Sequence, residues 1–178
     1  MGKQYKVLQD KDKDFIRKQK VFYIASSSVN EVNISPKGYD TIRVLNDNSV
    51  VFLDYPGSGN RTYTDAMHKG EFTLLFNAYE GKAMILRLFS HAEIVERKSE
   101  DFYHYLKMFN EKESLVRNFF IFNIYAVESS CGESVPFMEY KGERDSLKEW
   151  AAQMDDADKL ESYVNKHHVP PNMKDIRE

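Results

Sequence analysis

The stretch VNISPKGYDTIRVLNDNSVVFLDYPGSGNRTYTDAMHKGEFTLLF, residues 32–76, decides the fold class. Val32-Asn33-Ile34-Ser35 alternates apolar and polar residues, the period of a half-buried hairpin strand. Pro36-Lys37-Gly38 reads as a small turn. Residues 41–45 and 49–55 are two further strands, joined by Asn46-Asp47-Asn48, a good tight-turn sequence. Gly57-Ser58-Gly59-Asn60-Arg61-Thr62 then opens a short helix, with Asn60 as its cap and Gly70 as its stop. Residues 71–78, rich in Phe and Leu, return to strand.

The same rhythm extends outward in both directions. Before this stretch, residues 10–19 read as a short surface helix with Phe15 and Ile16 as its apolar residues. Residues 21–25 read as a buried strand and 26–31 as a turn. After it, Gly81 breaks the chain and residues 84–96 form a long strand. Ser99 caps a second helix whose Phe102, Tyr105, Leu106 and Phe109 fall at helical spacing, a core or dimer stripe. Residues 116–127 are another long strand and 129–136 a Gly/Ser/Pro loop. From Gly142 the character changes: residues 145–154 and 156–166 look helical, with Leu147, Trp150 and Ala151 as a stripe for docking. Residues 167–178 are a polar tail.

Many short strands without a strand–helix–strand repeat argue against a doubly wound sheet. They favour a closed or nearly closed antiparallel barrel, which also removes exposed edges. The expectation is a mainly β protein with some α (α+β). A barrel domain would span residues 1–141 and a helical extension packed on it 142–178.

Composition narrows the function classes. Of 178 residues, 42% are hydrophobic and 30% charged, so the chain is globular. A net charge of −3 offers no basic excess for nucleic acid. One cysteine, Cys131, excludes an internal disulfide and a cysteine-based zinc site. No histidine has metal-ligand spacing, and no metal is assigned. No apolar run approaches the ~20 residues that span a bilayer, and the first twenty residues are not a secretory signal. A soluble cytoplasmic protein is the expectation.

The chemistry-bearing residues gather in residues 35–62. Lys37 and Arg61 are cations, and Ser35, Ser58 and Thr62 add hydroxyls. Gly57 and Gly59 let a backbone approach a ligand closely. Arg offers a planar fork for two phosphate oxygens, and a helix start adds amide donors. The loop has neither a Walker sequence nor Gly-x-Gly-x-x-Gly. Gly-Ser-Gly-Asn is also an ordinary turn, so solvated turn charges and a phosphate site both stand as readings of the loop alone. Arg87 interrupts an apolar strand and needs an anion or a carboxylate such as Glu93 or Glu139. Cys131 reads as an inert, partly buried thiol or as a reactive one beside a ligand.

Taken together, these motifs resemble the pyridoxamine 5′-phosphate oxidase-like family of flavin-binding split β-barrels. Residues 32–38, 51–62 and 72–76 carry the resemblance, and 86–90, 130–136 and 140–145 extend it. It implies a six-stranded antiparallel split β-barrel of Greek-key order with inserted short helices and a C-terminal helical segment. It also implies a homodimer with FMN at the subunit interface and an oxidoreductase activity on a small-molecule substrate. The residues it implies for the cofactor are Asn33, Ser35, Lys37, Gly38, Asp54, Tyr55, Ser58, Asn60, Arg61, Thr62, Arg87 and Cys131, with Arg61 at the phosphate. No catalytic side chain is named. The family's oxidases proper carry a late Arg-Leu-His-Asp-Arg segment for the vitamin phosphate. This chain has Ser129-Ser130-Cys131-Gly132-Glu133 after its last long strand, which argues against pyridoxal phosphate synthesis itself. Alternatives are a non-catalytic flavin-binding or sensing protein, a flavin reductase-like protein, or a binder of deazaflavin or haem.

Overall fold

The computed structural model describes residues 2–27, 31–170 and 173. The expected turn at 26–31 and the polar tail therefore lie partly outside the described residues. Eight strands form one antiparallel sheet: β1 (Lys3–Tyr5), β2 (Phe22–Ser27), β3 (Val32–Lys37), β4 (Ile42–Asn46), β5 (Ser49–Asp54), β6 (Glu71–Asn77), β7 (Ile85–Glu96) and β8 (Asn118–Ser130). Among the described residues five α-helices interrupt or follow them, α1 (Asp10–Lys18), α2 (Arg61–Met67), α3 (Phe102–Leu106), α4 (Ser146–Asp156) and α5 (Leu160–Lys166), with a 3-10 turn at Glu113–Leu115. The α+β expectation holds, but the count of six strands does not. β1 is too short to show any period, and it is held by pairing with the far end of β8.

The sheet order is β3-β2-β6-β7-β8-β5-β4. Its two ends, β3 and β4, are consecutive in the chain yet unbonded to each other, so the sheet is open. It nevertheless curls. Phe22 on β2 meets Phe52 on β5 edge-to-face at 5.9 Å, although three strands lie between them in the hydrogen-bonded order. Phe22, Ile24, Phe52, Leu74, Phe76, Leu86, Leu88, Phe120 and Phe122 fill the concave face. All are even-numbered, as the two-residue strand period requires of one face.

The other face of β5 and β8 carries odd-numbered Val51, Leu53, Phe119 and Ile121. Because β5 is buried on both faces, it reads as a continuous apolar run rather than an alternation. α3 covers this second face with Phe102, and Phe109 just beyond the helix is buried there too, with Tyr105 and Leu106 packed alongside, so the stripe is core. α4 and α5 add Ala151 and Leu160, with Leu147 and Trp150 packed alongside.

Two local expectations are corrected. The turn after β3 falls at Tyr39 and Asp40, both with positive φ, while Pro36 and Lys37 stay in the strand. Gly70 does follow α2, but the left-handed residue there is Lys69. Gly70 is required because a Cβ would stand 2.5 Å from the Ser27 carbonyl oxygen.

Candidate functional site

The open seam of the sheet is where the site forms. β3 ends on one side, β5 ends on the other, and residues 38–41 cross between them. The loop 56–60 and the first turn of α2 close the top. The cavity so enclosed measures about 490 Å³, within the ~300–1,000 Å³ common for small-molecule sites.

The inward face of β3 is polar, opposite to what a half-buried strand gives. Lys37, Ser35 and Asn33 pair directly with Phe22, Ile24 and Ser26 of β2, so they share the concave face. The apolar residues point the other way: Val32 is 76% and Ile34 63% exposed. The Lys37 ammonium lies 5.3 Å from the Phe52 ring centroid. Among the described residues no carboxylate comes within 4 Å of it. Burial pulls its pKa below the ordinary lysine value; Asp54 opposes that shift and Arg117 adds to it.

Around Lys37 the other groups are held in place. Asn33 Nδ2 donates to Ser26 Oγ at 3.1 Å, and Ser26 Oγ donates to Asp65 Oδ2 at 2.6 Å, tying β3 and β2 to α2. Arg61, the first residue of α2, pairs with Glu31 at 3.2 Å. Asn60 occupies the cap position, but its side chain makes no capping bond. Instead its Nδ2 donates to the His168 carbonyl at 2.5 Å, while its Oδ1 is buried without a partner among the described residues.

Asp54 is buried at the end of β5 and bonded to Arg117, which precedes β8. Arg117 Nε and Nη2 reach Asp54 Oδ2 at 2.8 and 2.7 Å. The same guanidinium donates to the Gly57 carbonyl at 3.3 Å and the Gly59 carbonyl at 2.9 Å. Tyr55 donates to Glu111, which also holds Lys148 of α4 at 3.0 Å. Burial and the Glu111 bond push the Tyr55 phenol upward. For Glu111, burial raises the pKa, but the Tyr55 and Lys148 contacts outweigh it and leave the carboxyl below its ordinary value.

Ten of the expected site residues therefore meet in one cavity: Asn33, Ser35, Lys37, Gly38, Asp54, Tyr55, Ser58, Asn60, Arg61 and Thr62. Two do not. Arg87 lies on β7 and pairs with Glu128 at 3.1 Å, not with Glu93 or Glu139, and also donates to Ser130. Cys131 is exposed just past β8, not partly buried. Sequence reading missed Arg117, Tyr39, Thr41, Leu147 and Pro170, which also line the cavity. Only Arg117 had a signal: Asp54 ends the apolar run of residues 50–53 and demands a cation.

The donor set suits an anion that also carries hydroxyl groups. Lys37 supplies charge, Arg61 adds its guanidinium alongside the Glu31 pair, Ser35, Ser58 and Thr62 supply donors, and Asn60 Oδ1 has no donor among the described residues. Asp54 is neutralised by Arg117 and so does not repel such an anion. Among the described residues that line the cavity there is no histidine. No group of three or more metal-ligating side chains occurs among the described residues, nor does a helix long and apolar enough to cross a membrane.

No protein-family model matches the chain. The pyridoxamine 5′-phosphate oxidase family protein ustO of Aspergillus flavus is 30% identical over 141 residues, 76% of this chain. The match covers 56% of that protein, so the chain spans about half the length of this curated relative. Among solved structures, HupZ of Group A Streptococcus superposes with a TM-score of 0.56 at 17% identity, over 67% of this chain and 91% of that one. A pyridoxamine 5′-phosphate oxidase homologue from Lactobacillus delbrueckii gives 0.55 at 16% identity, over 69% and 98%. The FAD binding protein of Mycobacterium smegmatis gives 0.51 at 12% identity, over 71% and 97%. These structures share the fold.

Proposed function

We propose that this chain, a relative of the pyridoxamine 5′-phosphate oxidase family, is a flavoprotein that binds FMN in the seam cavity and acts as an oxidoreductase on a small molecule. The observation that carries the proposal is the polar inner face of β3. A half-buried lysine, with no carboxylate partner among the described residues, shares the cavity with Arg61, Arg117 and several hydroxyls. A buried cation is costly unless an anion completes it.

Lys37 and Arg61 would hold the phosphate, with Ser35, Ser58 and Thr62 donating to its oxygens. Asn60 Oδ1 suits a hydroxyl of the ribityl chain. Phe52 and Pro36 wall the cavity and limit water. When bound, the flavin ring supplies hydride or single-electron transfer. No side chain of this chain is assigned to proton transfer. The FAD binding protein with the same fold supports a flavin over haem, as does the lack of a histidine in the lining.

The proposal includes a split-barrel homodimer with the cofactor at the interface. A second copy would cover Val32 and Ile34, exposed on the outer face of the edge strand β3. Sedimentation as a dimer is expected; a flavin-loaded monomer contradicts it. The single thiol suits the cytoplasm, where the proposal sets the protein. A second reading, flavin binding without turnover, is favoured by the Ser130-to-Glu133 loop standing where the family's oxidases bind their substrate.

The test is the absorbance spectrum of purified protein, with mass spectrometry of the released ligand. A flavin spectrum and the mass of FMN are expected. A colourless protein that stays so after FMN is added contradicts the proposal. Reduction of the bound flavin by NADH or NADPH, followed by turnover of a substrate, separates the oxidoreductase from the non-catalytic reading.

A further inference from the structure

The loop 57–60 carries two glycines, and neither explains its shape. A Cβ added at Gly57 or Gly59 meets nothing within 4 Å, and neither residue has a positive φ. Something other than glycine freedom fixes this part of the cavity. Arg117 is the group that does so. Its guanidinium takes the carbonyls of Gly57 and Gly59 at once, while Asp54 anchors it from below. Its own backbone N–H is bonded to the Asp54 carbonyl at 2.8 Å, so the base of the side chain is fixed as well.

We propose that Arg117 is a positioning residue: it turns the loop's amides toward a phosphate and so sets a preference for a phosphorylated flavin over the unphosphorylated one. All peptides here are trans, and a trans peptide points its carbonyl and its N–H in opposite directions. Drawing the Gly57 and Gly59 carbonyls onto Arg117 turns the N–H groups of Ser58 and Asn60 away from it. Among the described residues no acceptor takes those two N–H groups, and both residues line the cavity. The same contacts remove two carbonyl dipoles that would otherwise oppose an anion. With its charge committed to Asp54, Arg117 acts on the loop and not directly on the ligand.

This inference rests on the assignment of the cavity to a flavin phosphate, and its test separates the two. Arg117→Lys keeps a cation for Asp54 but cannot reach Asp54 and two carbonyls together. FMN and riboflavin are titrated into wild type and variant, with thermal midpoints as a folding control. The expected result is that FMN affinity falls about tenfold in the variant while riboflavin affinity stays within about twofold, since only the phosphate contacts are lost. A purely structural ion pair would weaken both flavins alike or neither, and an unchanged FMN-to-riboflavin ratio overturns the proposal. If Arg117→Lys does not fold, the double variant Asp54→Asn with Arg117→Met removes both buried charges, and the same ratio decides. A wild-type protein that binds neither flavin contradicts the cofactor assignment itself, and the positioning role with it.

Discussion

β2 and β3 are neighbours in the sheet and present opposite characters to the same concave face. β2 turns Phe22 and Ile24 inward, at 3% and 0% exposure. Directly across from them, β3 turns Lys37 and Ser35 inward and leaves Val32 and Ile34 outside. An unremarkable edge strand would place its apolar set on the core. β3 gives up that burial and holds a lysine in a setting that disfavours its charge. One strand stabilises the fold, and the next, on the proposed function, receives the ligand, within a single hairpin.

The sharpest way to break this comparison is to disturb each strand separately. Ile24→Ala on β2 should cost about 2–5 kcal/mol of stability, the range for truncating a buried aliphatic side chain. Denaturant unfolding measures it. Flavin affinity of the folded fraction should fall less than in the variants that remove a cavity-lining cation, because Ile24 sits beside Ser35 but does not itself line the cavity. On the ligand side, Arg61→Ala should weaken FMN binding by about 1.5–3 kcal/mol, the range for a charge-assisted hydrogen bond. Undiminished affinity by titration removes Arg61 from the site.

Lys37→Met sharpens the contrast, because its two effects carry opposite signs. The lysine's folded pKa is lowered, so its protonated form opposes folding at every pH below the ordinary lysine value. Replacing it should raise the thermal midpoint of the ligand-free protein by about 2–4 °C, as ~1 kcal/mol does in a chain of this size. FMN binding should weaken in the same variant. A midpoint that falls instead means that the lysine is held by contacts that outweigh its burial.

The smallest effect is expected at the rim, where α4 docks through Lys148 and Glu111. Glu111 has a lowered folded pKa, so its contribution is present above the ordinary Glu value of about 4.3 and is lost as pH falls through the folded value. Trp150, the chain's one tryptophan, sits on α4 against Tyr163 at a centroid distance of 4.7 Å. Its fluorescence should report an acid transition in that window, and Glu111→Gln should abolish it. An identical transition in the variant assigns the loosening to another carboxylate.

Much of this contrast was legible in the sequence. The strands from Phe22 to Ser130 show their periods or apolar runs, and the cluster from Asn33 to Thr62 assembles as its residue types suggest. What stayed hidden depends on distance along the chain. Arg117 meets Asp54 from 63 positions away, so no local pattern joins them. Leu147 and Pro170 reach the cavity only because the C-terminal helices fold back over it. The alternation in β3 revealed a strand but not which face would be inward. That choice follows from the register with β2, not from hydrophobicity alone. Arg87 was expected at the cofactor because the family resemblance implied it, while its apolar strand called only for a counter-charge, which Glu128 on the neighbouring strand supplies.

A crystal structure of the protein grown with excess FMN puts the central claim to its most direct test. The account predicts phosphate oxygens within hydrogen-bonding distance of both Lys37 and Arg61, in the gap between the ends of β3 and β5. A gap holding only solvent, or closed by the chain's own side chains, would contradict it.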